Sequence, residues 1–161
     1  MEKTRRTQSY WQDFVAATGC AADDYDVSTF GDGAALCDEL TALTLAGTKR
    51  ATASLLRDFE AEGAPVPRVG THVVSVDAEG EPRLIWRNVA VDIKPVHAIT
   101  EADAAAEGEG DGSLASWLDG HRRYWTRQAE REGFVYDDDL LVVFERFVVV
   151  WPPEAADLNG T

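Results

Sequence analysis

Gly47-Thr48-Lys49-Arg50-Ala51-Thr52 places an amine three residues before a hydroxyl. Such a pair can serve as nucleophile and base when the lysine is desolvated enough to lose its proton near neutrality. The spacing sets a condition on the backbone. In a strand, positions three apart point to opposite faces, whereas in a helical turn or an irregular segment they meet. The same six residues also read as a helix end followed by a solvated lysine.

A second group is Glu107-Gly108-Glu109-Gly110-Asp111-Gly112, with carboxylates at alternate positions like the start of a calcium loop. The motif fails at its end, because the twelfth residue counted from Glu107 is Leu118, where a bidentate glutamate is required. Glu109 and Asp111 remain candidates for a looser cation site; otherwise the segment is an acidic loop leading into a helix capped by Ser113. His72, His97 and His121 have no ligand spacing, and His121, on an apolar helix face, reads as a packed, hydrogen-bonded histidine. No Ser/His/Asp arrangement, P-loop or GxGxxG is present, so no cofactor is expected. Trp86 beside Arg87 could stack on a nucleobase, or it could be core.

The elements that must position these groups follow from periodicity. Trp11, Phe14 and Val15 predict a helix over Ser9–Thr18, ended by Gly19. Leu36, Leu40, Leu43 and Ala46 predict another over Ala34–Ala46, with Gly47 at its C-terminal cap. Lys49–Ser54 has no clear period, and Leu55–Glu62 reads as a short helix. Thr71–Asp77 and Leu84–Lys94 alternate like strands, with Ile85, Val89, Val91 and Ile93 on one face. Thr100 is placed to cap a short helix, and Ser113 to cap a longer one carrying Trp117, His121 and Trp125 on one side. Leu140–Trp151 is a strand closed by Pro152-Pro153; Asp23–Asp26 is expected as loop. Residues 1–9 are expected as an arm, 10–151 as one domain and 152–161 as a loose tail. Helices, strands, helix, strand gives an α+β class with a mostly antiparallel or barrel-like sheet.

Charge narrows the partners. Of 161 residues, 15 are Lys or Arg and 29 Asp or Glu, a net of −14. That field repels polyanions, so duplex DNA is excluded as a partner. Residues 47–99 nevertheless carry seven bases and seven acids, making the middle third the place for any nucleotide. No apolar run suits a membrane span or a secretory signal, and Cys20 and Cys37 show no disulfide or zinc pattern. The expected location is cytoplasmic.

In order along the chain, the sequence resembles the ASCH domain family, a relative of the PUA-like RNA-binding barrels. The resemblance rests on Phe30-Gly31-Asp32 with Leu36-Cys37-Asp38-Glu39-Leu40, then Leu45 through Ser54, then Pro67-Arg68-Val69-Gly70. Glu107 through Leu114 with Trp117 and His121, and finally Phe144-Glu145-Arg146-Phe147, complete it over about residues 10–151. It implies a small β-barrel with flanking helices and a cleft for RNA or a nucleoside. One bacterial branch removes an acetyl group from the exocyclic amine of cytidine with a Thr, a Lys and a Glu; another contains single-strand ribonucleases. Lys49 and Thr52 occupy the matching Gly-x-Lys-x-x-Thr positions, and Glu107 is the matching glutamate, with Glu109 as the alternative register. The chain departs from the compact amidohydrolases in its greater length, its N-terminal helix and its Gly-rich loop.

The mechanism implied is attack by Thr52 Oγ on an acyl carbonyl, with neutral Lys49 taking the proton and Glu107 orienting or recharging the pair. A carboxylate beside Lys49 works against that role, since it favours the charged amine. A salt bridge to Glu107 would instead make Lys49 an electrostatic stabiliser. Substrate contacts are expected from Arg50, Arg57, Trp86, Arg87, Glu109 and Ser113. The alternatives are an RNA-binding module or ribonuclease gripping phosphate with Lys49, Arg50, Arg57 and Arg87, and a ligand sensor without catalysis. The partner is accordingly a modified nucleoside or single-stranded RNA.

Overall fold

A computed structural model describes residues 1–158. Helix α1 spans Arg5–Thr18, strand β1 Asp26–Ser28, α2 Ala34–Leu45, β2 Ala51–Leu55 and α3 Leu56–Glu62. Then come β3 His72–Val76, β4 Pro82–Pro95, α4 Glu101–Glu107, α5 Leu114–Glu132 and β5 Leu141–Trp151. The strands form one mixed sheet in the order β1-β3-β4-β5-β2, antiparallel except for the parallel β1–β3 pair. The sheet curls into a half-barrel, and β1 and β2, its two edges, both contribute walls to the cavities between them.

The caps are local and legible. Thr100 accepts from the Asp103 N–H while the Asp103 side chain accepts from the Thr100 N–H, a reciprocal box that starts α4. Ser113 accepts from the Ser116 N–H at 3.1 Å to start α5. Three apolar clusters hold the layers. Trp117, Trp125, Val142 and Phe144 pack α5 on the sheet; Trp11, Phe14, Val74 and Ile85 seat α1; Phe30, Leu40, Trp86 and Phe147 seat α2.

Several expectations change. The first helix starts at Arg5, capped by Thr4, so the expected arm is mostly helix. Asp26 belongs to β1, which pairs with Val73 rather than lying in a loop. The face expected from Ile85, Val89, Val91 and Ile93 is broken: Ile85 is buried, but Val89 and Ile93 are exposed. Register shifts between Ile85 and Trp86 and between Asn88 and Ala90 reset the alternation, as β-bulges do. The segment after β5 is held as far as Asp157, whose carboxylate accepts from Arg50 at 2.8 and 2.9 Å and from the Val149 N–H at 2.9 Å. The last three residues of the expected tail lie outside the described residues.

Candidate active site

Lys49 lies in the irregular link between α2 and β2, so the strand rule that would have separated it from Thr52 does not apply. Gly47, at φ 91°, turns the chain so that the N–H groups of Thr48 and Lys49 both donate to the Leu43 carbonyl, at 3.0 and 3.1 Å. Next, the Arg50 N–H donates to the Ala106 carbonyl at 2.8 Å, docking the link against the end of α4. Gly108 completes the contact: a Cβ there would stand 2.3 Å from the Thr48 carbonyl oxygen, so only glycine admits the approach. Asp103 fixes the other end of α4, accepting from Lys94 at 2.6 Å and Arg146 at 2.8 Å.

This docking brings the ammonium of Lys49 within 3.3 Å of Glu107 Oε1 and 2.8 Å of Glu109 Oε1. Lys49 and Glu107 are each 1% exposed. The Trp117 indole N–H also donates to Glu107 Oε2, and His121 Nε2 lies 3.2 Å from that oxygen. His121 stacks on Trp117 with ring centroids 3.9 Å apart, and its Nδ1 meets the Trp117 carbonyl at 2.9 Å. Burial alone would raise the Glu107 carboxyl, but the charges of Lys49 and then His121 outweigh it and hold the group well below the usual carboxylate range. Burial likewise disfavours the imidazolium of His121, and the Glu107 carboxylate overcomes that and raises its pKa.

Thr52 is half-buried on β2 and lines a cavity of about 210 Å³ with Lys49, Glu107, Glu109 and His121. No hydrogen bond engages its hydroxyl among the described residues. Glu145, directly opposite Thr52 in the β2–β5 pair, lines the same cavity and is 5% exposed. Its Oε1 accepts from the Asn88 amide at 2.7 Å. Burial pushes its carboxyl up to about 7, reinforced by Asp26 and opposed by the Asn88 hydrogen bond. A second cavity of about 330 Å³, lined by Asp26, Asp58 and Pro65, adjoins the first and shares Ser28, Thr29, Ser54 and Glu145 with it.

The remaining expected contacts lie elsewhere. Trp86 is 1% exposed and stacked between Phe30 and Phe147, at 5.4 and 4.8 Å, with its indole N–H donating to Asn88. Both its faces are covered, so it offers none to a base. Arg50 is committed to Asp157 and to the Thr44 and Lys49 carbonyls. Arg57 covers the Phe134 ring at 3.7 Å and reaches Asp58 and Glu132. Arg87 lines a separate cavity with Phe14, Cys20 and His72. The Ser113 hydroxyl is spent on its cap, and Asp111 accepts from the Ser113 N–H.

Glu107, Glu109 and His121 present ligand atoms within 4.8 Å of one another, a geometry that suits a cation. The Lys49 ammonium already contacts both carboxylates, so these residues do not fit an added metal ion without displacing it. Sequence reasoning undervalued His121 and passed over Glu145. One signal was the position of His121 a helical turn beyond Trp117; the other was a carboxylate inside the β-branched run Val142–Val150.

A match to the family model for the ASCH domain spans residues 26–151. The chain belongs to the ASCH domain family. The crystal structure of an ASCH domain from Lactobacillus crispatus JV V101 aligns with a TM-score of 0.84 at 27% identity, over 94% of this chain and 98% of that one. A protein of Enterococcus faecalis V583 aligns with a TM-score of 0.81 at 27% identity, over 90% of this chain and 88% of its own. No match was found among curated proteins. The family suggests a module for nucleic acid or nucleoside, and no helix among the described residues is long and apolar enough to cross a membrane.

Proposed function

We propose that this ASCH domain binds an acylated pyrimidine nucleoside in the Lys49/Thr52/Glu107 cavity and hydrolyses the amide on its exocyclic amine. The observation that carries the reading is a buried ammonium, held by two carboxylates, in the same cavity wall as a free threonine hydroxyl. Thr52 Oγ is the nucleophile toward the acyl carbon. Lys49, paired as it is, stabilises negative charge on the acyl oxygen rather than accepting a proton. Glu107, locked by Trp117 and His121, holds the ammonium in place.

Electrostatics favours a nucleoside over an RNA strand. The cavity carries Glu107, Glu109 and Glu145, and its cations Lys49, His121 and Arg127 are each paired with carboxylates. A phosphate entering would find each of these cations already paired and would face Glu145, which has no cation partner among the described residues, whereas a neutral nucleoside meets no such barrier. The site cavity of about 210 Å³ is by itself smaller than the roughly 300–1,000 Å³ of small-molecule sites, and the adjoining cavity of about 330 Å³, which shares Ser28, Thr29, Ser54 and Glu145 with it, extends the space into that range.

The test is chromatographic: N4-acetylcytidine and single-stranded RNA are incubated with the protein, with Thr52→Ala and with Lys49→Ala. Cytidine release by wild type, abolished in Thr52→Ala and lowered about 100–1,000-fold in Lys49→Ala, is the expected result. RNA cleavage without cytidine release would replace the amidohydrolase with a ribonuclease. Failure of both substrates would remove catalysis from the site.

A further inference from the structure

On the amidohydrolase reading, the proton of Thr52 needs an acceptor, and the groups nearest the ammonium are already committed. Lys49 is the cation of two ion pairs. Glu107 accepts from Lys49 and Trp117 and faces His121, and Glu109 accepts from Lys49. His121 points one ring nitrogen at a carboxylate and the other at a backbone carbonyl. Both of those partners can only accept, so both ring nitrogens donate and the ring is an imidazolium.

We infer that Glu145 is the proton acceptor for Thr52 and returns that proton to the leaving amine; this inference rests on the amidohydrolase reading. Thr52 and Glu145 are direct partners in an antiparallel pair, so their side chains leave the same face with Cβ atoms about 4.5–5.5 Å apart. That separation lets a carboxylate reach the hydroxyl directly or through one water. Asn88 fixes one carboxylate oxygen, and no hydrogen bond to the other is found among the described residues. The buried carboxyl titrates near neutrality, which suits a group that must take up a proton and give it back.

Among the described residues Glu145 has no salt-bridge partner of its own. From β1 it faces Asp26, and across the second cavity it faces Asp58 and Glu62 of α3 and Lys3. Lys3 is bound by Asp24. Across the first cavity stand Lys49, Glu107 and Glu109, with His121, Tyr124 and Arg127 from α5. Lys49 is held by the two glutamates, His121 by Glu107 and Arg127 by Asp32.

The chemistry balances. As Thr52 Oγ bonds to the acyl carbon, its proton moves to the Glu145 carboxylate and the carbonyl electron pair moves to oxygen beside Lys49. When the oxyanion collapses, the C–N bond breaks and the nitrogen takes the proton from Glu145, leaving an acyl ester on Thr52. Water then attacks that ester and gives a proton to Glu145, which passes it to the departing Thr52 oxygen. One amide and one water become one amine and one acid.

The experiment measures kcat/KM for N4-acetylcytidine from pH 5 to 9 in wild type, Glu145→Gln, Glu145→Asp and His121→Asn. Cytidine binding by calorimetry and melting curves serve as controls. Wild type is expected to rise with pH to a plateau, with a midpoint near 7. Glu145→Gln should lose about 100–10,000-fold at the plateau, together with the rising limb, while still binding cytidine. Glu145→Asp, should the Gln variant not fold, keeps the limb with about a tenfold loss. A Glu145→Gln enzyme that keeps its limb and stays within about threefold of wild type overturns the inference while leaving the amidohydrolase standing. A limb that disappears in His121→Asn but not in Glu145→Gln transfers the role to His121. If wild type releases no cytidine at any pH, the functional reading fails and this inference falls with it.

Discussion

Replacing Lys49 by Met tests whether the central ion pair is as desolvated as its geometry implies. Lys49 and Glu107 are each 1% exposed, with the ammonium 3.3 Å from the carboxylate. At an effective dielectric of about 20, that separation corresponds to ~5 kcal/mol of attraction. Removing the lysine leaves Glu107 buried with only His121 and Trp117, so the loss should be about 3–4 kcal/mol at pH 7, in the range for breaking a buried pair. For a domain of this size that lowers the melting temperature by about 10 °C. Glu109, 25% exposed, can turn toward water and adds little. The double variant Lys49→Met/Glu107→Gln removes both charges and should recover at least ~2 kcal/mol of the single loss. Urea denaturation of wild type, Lys49→Met, Glu107→Gln and the double variant reads this directly. The sign with pH is fixed, because the carboxyl of Glu107 is held below its usual range. The stability it contributes is present above the unfolded value of 4.5 and fades as pH falls through the folded value, so the deficit of Lys49→Met should shrink in acid. A single-variant loss below ~1 kcal/mol, with an additive double variant, would refute the argument.

Three further outcomes follow from individual contacts. His121 has a raised pKa, so its stabilisation is complete below the ordinary value of 6.5 and is lost as pH rises through the folded value; the stability gap between wild type and His121→Asn should therefore be wider at pH 6 than at pH 9 in denaturant titrations. Gly108→Ala should cost about 2–4 kcal/mol, because a Cβ meets the Thr48 carbonyl at 2.3 Å, whereas Gly133→Ala, with nothing within 4 Å, should cost only about 1 kcal/mol for its positive φ; equal costs would mean the close approach is not maintained in solution. Glu145 binds its proton more tightly folded than unfolded, so its ionisation drains stability as pH rises from 4.5 to about 7; Glu145→Gln should be more stable than wild type by about 2–3 kcal/mol at pH 8 and no more stable at pH 4.

The parts of this fold legible in sequence are those governed by neighbours in the chain. The Leu36/Leu40/Leu43 stripe, the Thr100 and Ser113 caps and the strand propensity of Thr71–Asp77 and Leu140–Trp151 depend on residues a few positions apart, and these elements fall where expected, although β3 is buried along its whole length rather than on alternate positions. What failed depends on distant partners. Strand β1 has three residues in an acidic stretch and exists because β3 lies beside it. The outward turn of Val89 and Ile93 follows from register shifts against β5 that no period within β4 announces. Lys49 and Thr52 were legible as types and spacing, but the charge state of Lys49 was not. It depends on the Arg50–Ala106 hydrogen bond, which joins segments 56 positions apart and decides that two glutamates, rather than apolar side chains, meet the amine. Glu145 was hidden for the converse reason. Its chain neighbours Phe144 and Arg146 read as ordinary strand, and only pairing with β2 places it across from Thr52.

The charge distribution carries the same distinction between sum and pairing. Seven bases and seven acids over residues 47–99 suggest a locally neutral region hospitable to phosphate within an acidic chain. In the folded protein the bases of that region are matched largely from outside it: Lys49 by Glu107 and Glu109, Arg50 by Asp157, Arg57 by Glu132 and Lys94 by Asp103. Carboxylates from outside that region are thus the counterions of these cations, which are no longer free to grip a nucleic acid. A strand of RNA would have to displace them, each displacement exposing an acid to its phosphates, whereas an uncharged nucleoside leaves every pair intact. On the proposed function, the long-range pairing that positions Lys49 toward the acyl oxygen is therefore also what selects against a polyanionic ligand.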